Sequence, residues 1–125
     1  MLIKVSNGEF FDKLSILKIK TQKLKDVTRL AHALKEYKYL LVSAPQIDFS
    51  LDSPQYLRLL EVNETLWGIE DRIRQKEKDT KFDDEFIELS RQIYFLNDER
   101  FRLKNFINQE TESELREQKG HSTCY

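Results

Sequence analysis

The stretch SPQYLRLLEVNETLWGIEDRIRQKEK, residues 53–78, decides the fold. Ser53-Pro54 is a helix start: a hydroxyl residue able to cap, then a proline suited to the first helical position. Leu59, Val62, Leu66, Ile69 and Ile73 follow at spacings of three and four, with Trp67 at the edge of the stripe. That period belongs to a helix with one face packed on other helices. About 25 residues at 1.5 Å each make a rod of roughly 38 Å.

The text on either side repeats the pattern. Phe82-Asp83-Asp84-Glu85 opens the next helix, with Asp83 as cap and the acidic residues at the positive end of the helix dipole. Phe82 and Ile87 stand at the positions of a hydrophobic staple. The stripe runs through Phe86, Leu89, Ile93, Leu96, Leu103 and Ile107, and Arg100 falls on it, so the seam should turn polar there. Upstream, Ser6-Asn7-Gly8-Glu9 reads as a capping box, with Val5 and Phe10 as staple. A helix over residues 7–25 is expected, with Phe10, Leu14, Leu17, Thr21 and Leu24 as its seam. Asp26 then caps a helix to about residue 42, striped by Val27, Leu30, Leu34, Tyr37 and Leu41. Residues 43–53 form the only substantial loop, and Ile47, Phe49 and Leu51 should lay it down on the bundle. Thr111-Glu112-Ser113-Glu114 resembles another capping box, which predicts a short terminal helix or tail, with residues 120–125 frayed.

Short connections force antiparallel hairpins. The fold class is therefore all-α, an antiparallel bundle of two long helical hairpins, about four helices. One domain is expected over residues 1–125: hairpin one at about 6–42, the loop at 43–53, hairpin two at about 54–109, and a tail at 110–125. A turn near residues 80 and 81 places positions adding to about 161 side by side. Trp67 should meet Tyr94, Glu70 should meet Arg91, and Asn63 or Glu64 should face Asn97 and Asp98.

Composition excludes several functions. The 125 residues carry 21 basic and 22 acidic side chains, so no global charge draws the chain to nucleic acid or an anionic membrane. No apolar run approaches the ~20 residues of a membrane span. Met1-Leu2-Ile3-Lys4-Val5 lacks the apolar core of a secretory signal, so a cytoplasmic location is expected. The single cysteine, Cys124, excludes an internal disulfide. Charge is uneven: residues 1–42 hold nine basic and four acidic side chains, residues 43–125 twelve and eighteen. The halves can attract each other, or the basic part can serve an acidic partner.

No phosphate loop, dinucleotide fingerprint or nucleophile elbow is present. The densest polar text is Trp67-Gly68-Ile69-Glu70-Asp71-Arg72-Ile73-Arg74, with Asn97-Asp98-Glu99-Arg100 opposite. It reads as an interhelical ion and hydrogen-bond network that fixes register. It also reads as a ligand site built on Trp67, Glu70, Arg74, Tyr94, Asn97, Asp98 and Arg100, where paired arginines suit a phosphate or carboxylate. Carboxylate pairs at i,i+3 occur at Glu9/Asp12, Glu61/Glu64 and Glu85/Glu88. Glu61, Glu64, Glu85 and Glu88 on facing helices could hold Mg²⁺, as in all-helical nucleotide pyrophosphohydrolases. Helix starts and solvated faces account for the same spacings. Gly8 opens a helix start that could receive an anion, and Gly68 inside a helix could admit another helix closely.

Three segments together resemble an uncharacterised family of small all-helical bacterial and phage proteins. They are Val5-Ser6-Asn7-Gly8-Glu9 with Asp12-Lys13-Leu14-Ser15-Ile16-Leu17; Leu66-Trp67 with Ile69-Glu70-Asp71, Ile73-Arg74 and Lys76-Glu77; and Phe86-Ile87-Glu88-Leu89 with Tyr94, Asn97-Asp98 and Arg100. Residues 43–53 and Cys124-Tyr125 lie outside the likeness. The resemblance implies a stand-alone helical domain, found beside glycosyltransferase-like or surface-polysaccharide proteins. It supplies no activity, so no catalytic residue is carried over.

The reading that follows is a small cytoplasmic interaction or scaffold protein that pairs as a homodimer, without cofactor, nucleic acid or membrane. The long striped helices and Gly68 motivate the dimer. The alternatives are a Mg²⁺-dependent nucleotide pyrophosphohydrolase-like enzyme and a binding module for an anionic small molecule such as a sugar nucleotide.

Overall fold

The computed structural model describes residues 1–121. Four helices make up most of it: α1 (Asn7–Lys23), α2 (Val27–Ser43), α3 (Pro54–Lys78) and α4 (Asp84–Glu110). A 3₁₀ turn, Ala44–Gln46, follows α2, and no strand occurs among the described residues. The architecture is an all-α helical bundle. No helix of the described residues is long and apolar enough to cross a membrane.

Each helix starts on a side-chain oxygen. Ser6 accepts from the Glu9 N–H, Asp26 from Arg29, Ser53 from Tyr56 and Asp83 from Phe86. These bonds satisfy donors that the first turn leaves without partners. The reciprocal half of the expected box at Ser6 does not form, because the Glu9 carboxylate turns to Lys104 at 2.7 Å. The staple at α4 does not form either: Phe82 lies edge-on to Phe86, with centroids 5.2 Å apart, and Ile87 is exposed.

α1 is the hub. It packs on α2, α3 and α4, while α3 packs along α4. Asp12 stands level with Asn63 and Arg100, and Gly8, one turn earlier, meets Asn108, so α1 runs antiparallel to α4 and hence parallel to α3. A helix touched on three sides buries more than one stripe. Leu14 and Leu17 are buried as expected, but so are Phe11, Asp12, Ser15 and Ile19. α2 is the opposite case, because its backbone runs close only to α1 and the 3₁₀ turn among these elements. Only Ala33 of α2 is fully buried. Leu30, Tyr37, Leu40 and Leu41 are half-buried beside it, whereas Val27 and Leu34 of the expected stripe are exposed. Part of the apolar surface of this helix stays uncovered.

The core joins Phe11, Leu14, Tyr56, Leu59 and Ile107. Phe11 meets Phe49 at 5.2 Å and Tyr56 at 6.1 Å between centroids. Ile47, Phe49 and Leu51 pack against this cluster, so the loop lies on the bundle as its composition requires. Burial, and then the neighbouring Tyr37, push the Tyr56 hydroxyl above its ordinary pKa.

Hairpin α3–α4 keeps the expected register to within a turn. Arg58 pairs with Glu99 and Arg72 with Glu85, positions adding to 157, and Lys76 with Glu85 adds to 161. The expected Glu70–Arg91 pair is replaced by pairs within each helix, Glu70 with Arg74 at 3.5 Å and Arg91 with Glu88 at 3.6 Å. At the hairpin tip the Lys76 side chain is only 4% exposed and reaches Asp83 at 2.9 Å and Glu85 at 2.8 Å.

Among the described residues the segment after α4 is the tail, not the short helix, of the two expected forms. Residues 111–121 make a strap of turns and bends. The Thr111 hydroxyl donates to the Ile107 carbonyl and accepts from Asn7 Nδ2, and Ser113 Oγ accepts from the Asn7 N–H at 3.0 Å. The would-be capping groups are thus committed to α1 and α4. Lys4 pairs with Glu114 at the same end. From residue 122 on, the expected frayed end and Cys124 lie outside the described residues.

Two glycines differ in kind. A Cβ at Gly8 would collide with the backbone carbonyl of Lys104, so α1 and α4 meet there backbone to backbone. Gly68 is exposed, with nothing within 4 Å of an added Cβ, so no helix of this chain approaches it. Gly8→Ala should therefore cost about 1–3 kcal/mol by overpacking. Gly68→Ala should gain up to about 1 kcal/mol from helix propensity. Urea unfolding of the two variants checks the contrast.

The tip also makes an acid-sensitive latch. Hydrogen bonds from Lys76 hold the Asp83 and Glu85 carboxyls below their ordinary pKa, helped by the Phe86 N–H and by Arg72 respectively. Carboxyls with lowered folded-state values stabilise the fold above the unfolded range, about pH 4. That stability is lost as the pH falls through the folded-state values. Amide protection over residues 78–86 should drop selectively below about pH 4. Hydrogen exchange on Lys76→Met should show that dependence weakened, with the part due to the Phe86 N–H and Arg72 remaining.

Candidate functional site

The polar seam foreseen at Arg100 is a buried network between α1, α3 and α4. Asp12, 1% exposed, accepts from Arg100 Nε at 2.9 Å and Nη2 at 2.5 Å. Asn63 Nδ2 donates to Asp12 Oδ1 at 2.9 Å and to Ser15 Oγ at 2.8 Å, and the Ser15 hydroxyl donates to the Asp12 carbonyl at 2.7 Å. Lys104, also buried, lies 2.7 Å from Glu9, 4.0 Å from Asp12 and 2.6 Å from Glu117 of the strap. Burial pulls the Lys104 amine down, but hydrogen bonds to Glu117 and Glu9 and the charge of Asp12 outweigh it, so its pKa is raised. The hydrogen bond to Asp12 likewise raises that of Arg100. Among the described residues no buried side-chain polar atom lacks a partner.

A cleft of about 540 Å³ opens beside this network. α1 lines it with Ile16 and Ile19, α3 with Asn63, Leu66, Trp67, Glu70, Asp71 and Arg74, and α4 with Asn97 and Arg100. A second hollow, about 400 Å³, lies on the other side of Asn97 and Arg100, between Lys104 and residues 117–120 of the strap. Arg100 is thus a shared wall. Asp12 occupies its Nε and Nη2 edge. Both Asn63 amide protons are committed, which leaves its carbonyl oxygen.

Five of the seven ligand candidates converge here: Trp67, Glu70, Arg74, Asn97 and Arg100. Tyr94 and Asp98 are not among the cleft walls. Tyr94 is 63% exposed, and Asp98 is buried beneath the strap, where Lys119 meets it at 2.5 Å. Both lie on the side of α4 turned from the α1–α3 groove.

The four candidate metal ligands do not gather. Glu61 pairs with Arg58 at 2.8 Å, Glu85 with Arg72 and Lys76, and Glu88 with Arg91, while Glu64 is exposed. Glu9 and Asp12 do face a common point, but the Lys104 ammonium occupies it. Among the described residues no group of three or more His, Cys, Asp or Glu could hold a metal ion. The start of α1 offers no anion site. Its donors at Asn7, Gly8 and Glu9 go to Ser113, Asn108 (2.7 Å) and Ser6.

Ser15, Lys104 and Asn108 escaped the sequence reading. Their signal was present: Arg100, Lys104 and Asn108 step by four along the core face of α4, where an apolar stripe has no use for them.

The described residues form an all-α helical bundle with a cleft of mixed polarity between α1, α3 and α4. The chain belongs to a family of unknown function (DUF6165), matched over residues 1–125. No curated protein and no solved structure matches it.

Removing the Asp12 carboxylate strands Arg100. Asp12→Ala should cost about 3 kcal/mol, at the lower end for a broken buried pair because Arg100 keeps some solvent contact. Adding Arg100→Leu should recover much of that loss. Urea unfolding across the double-mutant cycle measures the coupling.

Proposed function

We propose that this chain is a binding module for a small molecule carrying one anionic group beside a hydroxyl-rich ring, the chemistry of a sugar phosphate or sugar nucleotide. The observation that carries the reading is Arg100, clamped by a buried carboxylate in the wall of a cleft also lined by Trp67, Arg74 and Asn97. A preorganised guanidinium binds an oxyanion with little ordering cost. The Trp67 ring offers an apolar face for stacking. Glu70, Asp71 and the Asn63 carbonyl supply acceptors for hydroxyls, and the two carboxylates disfavour a ligand that is charge alone. Ile16, Ile19 and Leu66 make the apolar floor that such sites need.

A second reading, self-association as a scaffold, is favoured by the large apolar side chains that α2 and α4 leave in water. The two readings use different surfaces.

Calorimetric titration tests the first. A sugar nucleotide or sugar phosphate should bind more tightly than inorganic phosphate. Trp67→Ala and Arg74→Gln should each weaken it by roughly tenfold or more, the loss of one stacking or charge-assisted contact. Absence of binding by every member of these classes at about 1 mM, the weak end of specific affinity, would sink the reading.

A further inference from the structure

We infer that the second copy docks tip to corner, each protomer's α3–α4 tip seated on the other's α1–α2 corner. The inference rests on the self-association reading and is independent of the cleft.

Besides exposed apolar side chains elsewhere, such as Tyr39 and Val42, two groups lie at the end of the molecule that holds the tip. On the tip and the adjoining outer face of α4, Phe82 is 56%, Ile87 54% and Tyr94 63% exposed. At the corner, Val27 is 82% and Leu34 37% exposed, with exposed Ala31 on the same face of α2. With a large side chain presenting about 200 Å², the two patches together leave roughly 500 Å² of apolar surface in water. A standard interface buries about 800 Å² per partner, some 60% of it apolar. The two patches match that need only when both are covered at once.

Charge selects the arrangement. With the tip's own partners Arg72 and Lys76 counted, residues 70–97 carry eight acidic and six basic side chains, net −2. Residues 18–38 carry seven basic and two acidic, net +5. Tip against tip or corner against corner would bring like charges together, while tip against corner brings opposite ones. The fold puts the two patches at one end of the molecule. Asp12 is level with Asn63 and Arg100, so at 1.5 Å per residue α1 ends near the level of residue 74 on α3 and 89 on α4. Val27 and Leu34 at the corner, and Phe82, Ile87 and Tyr94 on the tip side, are all exposed, so neither patch is covered within one chain. A two-fold axis at that end covers both patches on both copies, and the closed pair grows no further.

Sedimentation of the full chain at tens of micromolar tests this. The expected result is twice 15.0 kDa, with the dimer weakening as salt rises. Ile87→Asp with Tyr94→Glu at the tip should yield monomer, and so should Val27→Asp with Leu34→Asp at the corner. All four side chains are exposed, and unchanged circular dichroism confirms the fold. Lys35→Glu with Lys38→Glu should also weaken the dimer, and Asp84→Lys with Glu88→Lys added should restore it. A monomer at low salt ends the self-association reading itself. A dimer that ignores either the tip or the corner pair leaves that reading standing and overturns the tip-to-corner arrangement.

Discussion

Asp12 is a carboxylate with almost no contact to water, placed where three helices meet. An isolated charge in that position would cost several kcal/mol. It is held by the two-pronged Arg100 of α4 and the Asn63 amide of α3, with Lys104 nearby. Each partner arrives from a different helix, so the charge is compensated only when α1, α3 and α4 sit at one height and one rotation. Apolar stripes alone tolerate sliding by a turn, because leucine packs on leucine at several registers. The buried ion pair does not. It sets the level of α1 against the hairpin, and from that level follow the cleft beside Ile16 and Ile19 and the reach of α1 along α3.

The division of labour among the helices follows. α1 sits between two layers and buries side chains of every type, including Asp12 and Ser15. α2 covers one side of it and leaves apolar surface over. α3 and α4 support each other along their length, with Arg58–Glu99 partway along and the Lys76 latch at the tip. Since α1 is a 17-residue helix and α4 a 27-residue one, the hub runs out before the hairpin does. Phe86, beyond the end of α1, is only half-buried.

Helix positions were legible in the text because caps and stripes are local. Ser6, Asp26, Ser53 and Asp83 each act within three residues of themselves, and all four cap as read. Arg100 was legible as a break in a stripe, and Trp67, Glu70, Arg74 and Asn97 as polar text around it. What stayed hidden was the azimuth of each helix. Tyr94 and Asn97 are three apart on α4, yet one lines the cleft and the other faces water. No periodicity count separates them until the neighbour is known. Of the two expected forms of the terminal segment, helix or tail, the described residues take the tail: Thr111 was legible as a cap for its own segment, but it and Ser113 are held by Asn7, more than a hundred residues earlier.

The close backbone approach at Gly8 ties the first helix of the chain to its last. The N–H groups of Asn7 and Gly8 are answered by Ser113 and Asn108. During synthesis the hub helix precedes α4 by sixty residues and stays unlatched until α4 and Ser113 have left the ribosome. The opening turn of the hub therefore waits on residues a hundred positions later, and a transcript cut short within α4 would release a helix with nothing to close it.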